Sequence, residues 1–517
     1  MDRGVQIVSE AHALTETLGP SLLARLPSAI QKPAYDRSGI VPGIAHIGVG
    51  AFHRCHQAVY TDDLIGQGLD NRGIVGINIR TPLLASTLGR QGGLYTRLCR
   101  QNDTFEARVI GSIVSVVDSQ ASPTPALAVL SSPDIDVITM TVTEKGYCHQ
   151  PASGELNWDH QDIVHDLANP EAPRSLPGLV VQALELRMLS HGRPVTVMSC
   201  DNIPTNGVIL GNVVHAIAGR RGNRLADWID ANASFPSAMV DRIAPAPSQA
   251  NIDAVEQSFG YRDNAVVVGE PFRQWVIERR FASRVPEWNR VGATIVGDVT
   301  PFEHLKMRVL NGAQTGLCYL GVLAGHEHTF NDMADPVLET FIRRMLTEET
   351  APTLLPVPGI VPERYVEQSL DRLRNTAIRH RNHQIATDGS QKIVQRLLDP
   401  ILERLRRAEG VTLLSVAVSG WMVYLIRASQ RFGRSWSADD PYAERIAGIA
   451  DRVGHDTKAL TAEILAIDTI FAPELAANVA FRAEIIRGLD GLLADDPMTY
   501  VRRVCDLTAN SQLNRLT

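Results

Sequence analysis

Four polar side chains in the second half of the chain have the residue types of an acid/base site: Glu303, Lys306, Asn311 and Gln314. On a helix that turns by about 100° per residue they fall within about 140° of one another and share one side. A lysine flanked by amides can act as general acid or base if burial lowers its pKa toward neutrality, because desolvation penalises the charged ammonium. The amides would polarise a carbonyl oxygen, and Glu303 would relay protons to water. The same spacing is typical of an exposed polar helix face with a Glu-Lys pair, and by itself it favours that interpretation.

A second group of polar residues, Asp201, Asn202 and Asn206, directly follows an apolar run that ends at Ser199. If that run is a strand of a parallel sheet, these side chains lie at its carboxyl end, where ligands bind in such sheets. The stretch is equally a turn rich in Asn and Asp.

A glycine turn is the sharpest local signal in the first half. The run Ile44 to Ile47 leads into Gly48 and Gly50 and then into a helical pattern. Gly48 permits a tight turn, and Gly50 lets a pyrophosphate approach the backbone at the positive end of a helix. The third glycine of the dinucleotide fingerprint is absent, so a structural turn or another nucleotide-like cofactor, such as a methyl donor, also fits. The candidate dinucleotide contacts are Ile47, Gly48, Val49, Gly50, Ala51 and Phe52.

The end of the next strand lacks the carboxylate that usually holds the ribose of NAD. Arg80 stands there instead. It can accept the 2′-phosphate of NADP or be a solvated cation, so both NAD and NADP remain open. Two histidine clusters, His53 to His56 and His326 to His328, suggest a metal, but neither supplies the three or four converging ligands that zinc needs. We therefore expect no metal, with His53 capping or lining the cofactor helix.

The elements that position these residues change character near residue 300. Before it, short β-branched runs alternate with amphipathic segments, which predicts an α/β, Rossmann-type, doubly wound parallel sheet. A run from Arg108 to Val117 suggests a further strand near the sheet edge. After it, long helical patterns predict a mainly α-helical domain. We expect a dinucleotide-binding domain over 1–296, with residues 1–40 as a loosely attached arm, and a helical substrate and catalytic domain over 297–517.

Composition narrows the class of protein. The chain has 517 residues, a formal net charge of −7 and a sequence pI of about 6.1, which make nucleic acid and anionic membranes poor partners. Its 6 cysteines are scattered, which indicates free thiols and predicts a cytoplasmic protein. The N-terminal residues form a mixed polar stretch, so we expect no secretory signal. The uncharged run Val411 to Ile426 is shorter than the roughly 20 residues of a membrane span, so we expect a buried helix.

Together these segments resemble the long-chain mannitol dehydrogenase family, which includes mannitol 2-dehydrogenases and fructuronate reductases. The resemblance spans nearly the whole chain. It implies an N-terminal Rossmann-type domain, a helical C-terminal domain, no metal, and a cleft between the domains for cofactor and substrate. The segments that carry it are His46 to Arg54, Thr143 to Tyr147, Ser199 to Asn202, Met239 to Ile243, Glu270 to Phe272, Lys306 to Asn311 and Asp388 to Lys392.

The resemblance also implies residue roles. Lys306 would be the general acid/base, and Asn202 and Asn311 would hold the reacting oxygen while a hydride moves to or from C4 of the nicotinamide. Asp241 would lie at the edge of cofactor and substrate. Lys392 would bind substrate hydroxyls or a carboxylate.

Two departures bear on the substrate. The family motif usually has histidine where this chain has Gln314, and mannitol-type members tend to have arginine where it has Gln384. The run from His383 to Ile393, which contains Gln384, resembles the fructuronate reductase branch. In that branch Arg379, Arg381 or Lys392 would face a uronate carboxylate.

We therefore expect a metal-independent NAD(P) oxidoreductase, monomeric or a small homo-oligomer, acting on a linear sugar acid of the fructuronate/mannonate type. The alternative is a polyol 2-dehydrogenase acting on mannitol and fructose. A catalytically silent dinucleotide-binding protein is a third interpretation, motivated by Gln314.

Overall fold

The structure is a computed structural model that describes residues 16–79, 82–150, 153–433, 435–494 and 496–516. Arg80, a predicted cofactor contact, lies outside the described residues. The chain divides into two compact units. The first comprises the chain up to Arg100 together with Thr104–Val299, and the second comprises Gln101–Asp103 together with the chain from Thr300 onward.

The first unit is built of alternating strands and helices. Its strands are β1 Val41–Ile47, β2 Arg72–Asn78, β3 Tyr95–Gln101, β4 Thr104–Ile110, β5 Ile113–Asp118, β6 Val137–Met140, β7 Val195–Ser199, β8 Ala233–Ser234, β9 Ala238–Asp241, β10 Val267–Gly269, β11 Gln274–Glu278 and β12 Thr294–Val296. Its α-helices are α1 Ala51–Cys55, α2 Gln57–Gly66, α3 Pro82–Arg90, α4 Thr124–Leu130, α5 Gln161–Ala168, α6 Leu176–Ser190, α7 Asn206–Arg221, α8 Asn223–Asn232 and α9 Gln249–Phe259. Short 3₁₀ turns occupy Leu23–Arg25, Arg37–Gly39, Glu144–Tyr147 and Trp288–Val291.

A parallel sheet in the order β5-β2-β1-β6-β7-β8 forms the centre of this unit. Numbered by their order along the chain, these strands run 3-2-1-4-5-6, the strand order of the Rossmann fold. The predicted fold class is confirmed. The order reverses between β1 and β6, and ligands of such sheets bind outside the carboxyl ends of the strands at that reversal.

The strands are apolar without alternation because helices cover both faces of the sheet. On β1, Ile44 packs into one hydrophobic core, whereas Ala45 and Ile47 pack into the other. The first core also includes Val59 of α2, and the second includes Val180 of α6. The two cores hold β1, and thus the turn that follows it, in a fixed position.

The predicted strand from Arg108 to Val117 is two strands in the structure. β4 joins a three-stranded sheet in the order β10-β3-β4, and β5 forms an edge of the main sheet. The chain leaves the β conformation between them because α2 binds it there: Asp62 Oδ1 accepts from the Gly111 N–H at 2.8 Å, and Ser112 Oγ donates to the Ala58 carbonyl at 2.7 Å.

The expectation of a loosely attached arm is wrong for the described residues 16–40. Leu18, Leu22, Leu26 and Ile30 are buried and share a hydrophobic core with β3 and β4. Prolines interrupt regular secondary structure in this segment, but they do not prevent its leucines from packing. The sequence pattern showed the breaks and not the packing.

Helices make up the second unit, and its described residues from Thr300 onward contain no strand. They are α10 Thr300–Lys306, α11 Gly312–Leu323, α12 Thr329–Ala334, α13 Pro336–Arg344, α14 Pro362–Leu373, α15 Asn382–Ala386, α16 Gly389–Ile393, α17 Asp399–Arg406, α18 Thr412–Ile426, α19 Ala443–Val453, α20 Thr457–Leu465, α21 Pro473–Ala477, α22 Val479–Leu492 and α23 Pro497–Leu516. π-helical segments occupy Met307–Asn311, Met345–Thr350 and Val394–Leu398, and a 3₁₀ turn occupies Ala351–Thr353.

Helix α18 is the centre of this unit. It is the run predicted to be a buried helix, and it packs against α11 and α22 with nearly every side chain buried. Among the described residues, no helix combines the length and the apolarity needed to cross a membrane. The N-terminus of α18 is capped by Glu349, whose carboxyl oxygens accept from the N–H groups of Leu413 and Leu414 at 2.9 and 2.8 Å.

Burial raises the pKa of Glu349 to about 7, despite the two backbone hydrogen bonds that favour its charged form. A carboxyl with a raised pKa stabilises the fold most at low pH, and that stability is lost as the pH rises from about 4.5 through about 7. Glu349→Gln cannot ionise. Thermal unfolding from pH 4.5 to 8 is therefore expected to show the variant gaining stability relative to the unmodified protein, by at most about 3 kcal/mol.

Glu363→Gln, at an exposed position on α14, is the matched control and should show no such gain. A difference between the Glu349 variant and the unmodified protein that stays constant with pH would contradict the prediction.

Candidate functional site

The turn after β1 is held by close backbone packing. Gly48 has a φ of +92°, and a Cβ at this position would lie 2.2 Å from the Thr141 carbonyl oxygen. Its N–H donates to the Ile77 carbonyl at 2.9 Å, and Thr141 Oγ1 donates to the Gly48 carbonyl at 2.9 Å. Glycine is therefore required here by the fold, because the carboxyl ends of β1, β2 and β6 converge on this residue.

Gly50 differs from Gly48 in what surrounds it. Its φ is −72°, which any residue can adopt, and the only atom within 4 Å of an added Cβ is the Gly48 carbonyl oxygen at 3.9 Å. Nothing in the described protein therefore requires glycine at this position. A ligand that approaches the backbone, such as a pyrophosphate at the start of α1, supplies a reason. The residues fit the predicted dinucleotide.

His53 occupies the position of the absent third glycine. Its ring stacks on that of His46 in β1, with centroids 3.4 Å apart and planes 15° apart. Burial lowers the pKa of His46 to about 3 and that of His53 well below its usual value, so both rings are neutral. His53 thus packs its helix against the strand and makes no capping hydrogen bond to α1, so the capping alternative is wrong.

Asp201 links the loops that follow β6 and β7. Its carboxylate accepts hydrogen bonds from the N–H groups of Val142 and Thr143, at 3.0 and 2.9 Å, and from the Tyr147 hydroxyl at 2.7 Å. Thr143 has a φ of +73°, so this loop adopts a conformation that needs such support. The sequence placed Asp201 in a polar turn but gave no sign of these partners in a distant segment.

Asn206 anchors the segments that carry two further predicted site residues, Asn202 and Asp241. Asn202 is exposed on the loop after β7, and Asp241, at 3% exposure, ends β9. Asn206 is buried between their segments: its Nδ2 donates to the carbonyls of Asp201 and Ala238 at 2.9 and 2.7 Å, and its Oδ1 accepts from the Ala238 N–H at 3.0 Å. Asn206 is therefore a positioning residue that sequence analysis treated as an ordinary turn residue.

In the second unit, Glu303, Lys306 and Asn311 are each 7% exposed. The interpretation of an exposed polar helix face is therefore wrong. The angles predicted between these side chains for a regular α-helix do not apply either. A π-helical segment, Met307–Asn311, follows Lys306 directly and ends at Asn311. A regular helix would place those two residues about 140° apart. Hydrogen bonds between residues five apart bring Asn311 closer to the face of Lys306.

Contacts with the rest of the second unit hold this π segment. It packs against a second π segment, Val394–Leu398, and a Cβ on Gly312 would lie 3.4 Å from the Arg396 carbonyl oxygen. Within the segment, the buried guanidinium of Arg308 donates to both oxygens of Glu403, at 2.9 and 2.5 Å. These contacts fix the residues that flank Lys306.

The predicted substrate residues are not alike in environment. Gln314 is half-buried on α11, and the half-buried Lys392 donates from Nζ to the carbonyls of Ile385, at 3.3 Å, and Thr387. Gln384, Arg379 and Arg381 are exposed. The side chain of Arg381 pairs with that of Glu327 at 3.4 Å.

Among the described residues, no group of three or more His, Cys, Asp or Glu side chains converges as a metal site would require. The two histidine clusters have other partners. His56 Nε2 lies 2.8 Å from the Gln274 carbonyl, and His326 Nδ1 lies 3.1 Å from Asp332 Oδ1.

Comparison with known proteins decides the family. The family model described as the mannitol dehydrogenase Rossmann domain matches residues 42–290, and that of the mannitol dehydrogenase C-terminal domain matches residues 298–493. The chain belongs to the mannitol dehydrogenase family. It is therefore an oxidoreductase of the dehydrogenase type that acts on a CH–OH group and uses a nicotinamide dinucleotide, as the resemblance implied.

Relatives within this family bear different names. The chain is 39% identical to an uncharacterised oxidoreductase, YdfI, of Escherichia coli over 464 residues, 89% of this chain and 95% of that protein. It is 37% identical to the D-mannonate oxidoreductase of the same organism over 462 residues, 87% and 93% of the two chains. A Pseudomonas fluorescens mannitol 2-dehydrogenase, solved as a ternary complex with NAD and D-mannitol, is 34% identical with a TM-score of 0.85, covering 95% and 99%. These relatives include a sugar-acid and a polyol enzyme.

Gly50→Ala is expected to leave the melting temperature nearly unchanged, because its Cβ has room, and to weaken NADH binding by about tenfold or more, because it would intrude on a bound pyrophosphate. Fluorescence titration with NADH measures the second effect. Gly48→Ala should instead lower the melting temperature, since the added Cβ meets the Thr141 carbonyl.

Gly39→Ala, at an exposed glycine with no neighbour within 4 Å, is the control for both measurements. Unchanged NADH affinity in the Gly50 variant would refute a dinucleotide site at this turn.

Proposed function

We propose that the protein is an NAD-dependent dehydrogenase that interconverts the secondary alcohol and the ketone of a linear sugar acid of the mannonate/fructuronate type. The observation that carries the proposal is the burial of Glu303, Lys306 and Asn311 around one π-helical segment. Burying an amine and a carboxyl is costly, and such groups are typically retained where their protons are used.

In this proposal residues 1–296 bind the dinucleotide and residues 297–517 supply the acid/base group and most substrate contacts. The turn from Ile47 to Phe52 would hold the pyrophosphate, with Gly50 leaving room for it. Bound NAD accepts or gives a hydride at its nicotinamide C4. The solved mannitol 2-dehydrogenase contains NAD, which favours NAD here, whereas Arg80 is the residue that would favour NADP.

Each polar residue has a role in moving one proton. In ketone reduction Lys306 Nζ would donate a proton to the carbonyl oxygen, and in alcohol oxidation it would accept one from the hydroxyl. The side-chain amides of Asn202 and Asn311 would donate hydrogen bonds to that oxygen and stabilise the charge that develops on it. Glu303, one helical turn before Lys306, would return the proton to water. Asp241 would lie at the edge of the site.

A sugar acid is favoured as substrate by two observations. The chain is similar over most of its length to a D-mannonate oxidoreductase, and it carries Gln384 where mannitol-type members tend to have arginine. Lys392, Arg379 and Arg381 are cations that can face a carboxylate. The second candidate, a polyol 2-dehydrogenase, is supported by the similarity to the solved mannitol 2-dehydrogenase.

Lys306→Ala should lower kcat by about 10² or more, the usual scale for a positioned acid/base, while NADH affinity stays within about twofold. Steady-state kinetics and NADH titration measure the two quantities. Lys458→Ala, on the exposed face of α20, is the control and should keep full turnover. If the Lys306 variant retains turnover, the amine is not the acid/base.

A substrate panel separates the two candidates. We expect the purified protein to oxidise D-mannonate with NAD at a kcat/KM at least about tenfold above that for D-mannitol, with the reverse reaction measured on fructuronate and fructose. The same panel run with NADP tests the cofactor preference. A preference for D-mannitol would support the polyol 2-dehydrogenase, and no turnover with either would support the silent protein.

A further inference from the structure

Two buried arginines of the first unit lie near one another. Arg97 on β3 is 9% exposed, and Arg242, directly after β9, is 6% exposed. Guanidinium groups are rarely so deeply buried unless they are paired with an anion.

Arg242 is fully engaged, but only by backbone. Its Nε and Nη2 donate to the Glu270 carbonyl at 2.9 and 2.8 Å, and its Nη1 donates to the Cys55 carbonyl at 2.5 Å. A contact from Nη2 to the Pro271 carbonyl at 3.4 Å completes the set. Carbonyls fix the orientation of this side chain, and within the described ranges its guanidinium makes no ion pair with a carboxylate.

Arg97 has fewer partners still. Its Nε is buried without a hydrogen bond, and within the described ranges its side chain makes no ion pair. The positive charge of Arg97 lies close enough to Arg242 to affect its pKa. Burial and, after it, repulsion by Arg97 lower the pKa of Arg242 to about 10.

The strand register brings both arginines to one face of the small sheet. β3 pairs with β10 so that Cys99 lies beside Gly269, and neighbouring residues in register point to the same face. Arg97, two residues before Cys99, shares that face. A Cβ on Gly269 would point at Arg242 Nε, 3.4 Å away, so Arg242 covers the face onto which Arg97 projects.

Two like charges in one buried place are costly to the fold, and that cost is relieved when an anion binds between them. We propose that Arg97 and Arg242 form a binding site for a compact oxyanion, a carboxylate or a phosphate group. Arg242, held by three carbonyls, supplies fixed charge, and Arg97, with no side-chain partner in the described protein, supplies the guanidinium fork that such groups accept bidentately.

Three sources can supply that chemistry: the carboxylate of a sugar acid, a phosphate group of the dinucleotide, or free phosphate. If the anion is the carboxylate of a sugar acid, the two arginines would help to recognise the proposed substrate, and that case rests on the proposed function. The other two sources do not depend on the substrate. Arg379 and Arg381, the arginines suggested by sequence, are exposed and therefore bind an anion in competition with water and salt.

The test is anion binding by Arg97→Met, measured by calorimetry and thermal shift at constant ionic strength with inorganic phosphate, D-mannonate and NADH as separate probes. At least one of these anions is expected to bind the variant about tenfold or more weakly, the loss expected for a charge-assisted hydrogen bond. The responding probe identifies the source. Arg224→Met, at an exposed position on α8, is the matched control and should bind all three unchanged.

Melting temperature without added anion gives a second readout. Arg97→Met should melt at or above the temperature of the unmodified protein, since the substitution removes a buried charge that repels Arg242, whereas the loss of a structural arginine would lower the melting temperature. Arg97→Lys keeps the charge but not the fork, and it should bind the responding anion with intermediate affinity.

Equal affinity of the unmodified protein and Arg97→Met for all three anions would overturn the proposal. So would a variant that fails to fold while Arg97→Lys binds every anion normally, because that result assigns Arg97 a structural role. Since binding is measured without turnover, phosphate binding through Arg97 in a protein that oxidises no aldonate would contradict the proposed substrate and leave this site intact.

Discussion

The contact between Gly48 and Thr141 is the constraint on which the first unit depends. It lies where the order of the parallel sheet reverses, so the ends of β1 and β6 must meet there without a side chain between them. His46 reinforces the contact, with its Nε2 3.2 Å from the Gly48 carbonyl and 3.0 Å from Thr141 Oγ1. A turn so tightly packed on its inner side leaves only its outer side, at Gly50, for a ligand.

The sequence was sufficient for the parts of this molecule that follow from local patterning. Non-alternating apolar runs predicted a sheet covered on both faces, the glycine turn was placed at the end of its first strand, and the uncharged run at Val411 to Ile426 was a buried helix. These predictions succeed because burial on both faces and positive φ each leave a signature in residue type. The packing of residues 16–40 was not predicted, because prolines interrupt any regular pattern there and the leucines pack against strands that are distant in the sequence.

Long-range partners are what the sequence could not reveal. Asp201 binds N–H groups some 60 positions earlier, and Asn206 binds a strand 32 positions later, so neither differs locally from an ordinary turn residue. The residue types of the π segment after Lys306 would suit a regular helix equally well, so nothing in the sequence indicated it. The angles calculated from 100° steps were wrong because that segment is π-helical. Arg97 resembled any strand residue until its neighbour Arg242 was known.

The π segments have a consequence for how the second unit tolerates changes in length. Each accommodates one residue more than a regular helix of the same rise, so removing a residue there can restore ordinary helical pairing instead of breaking it. Such a deletion after Lys306 would leave four regular steps of about 100° between the lysine and the present Asn311, so the two side chains would remain on nearly the same side of the helix. The π segments are therefore places where this scaffold can lose a residue while its reactive group keeps its direction and its hydrophobic interior stays folded.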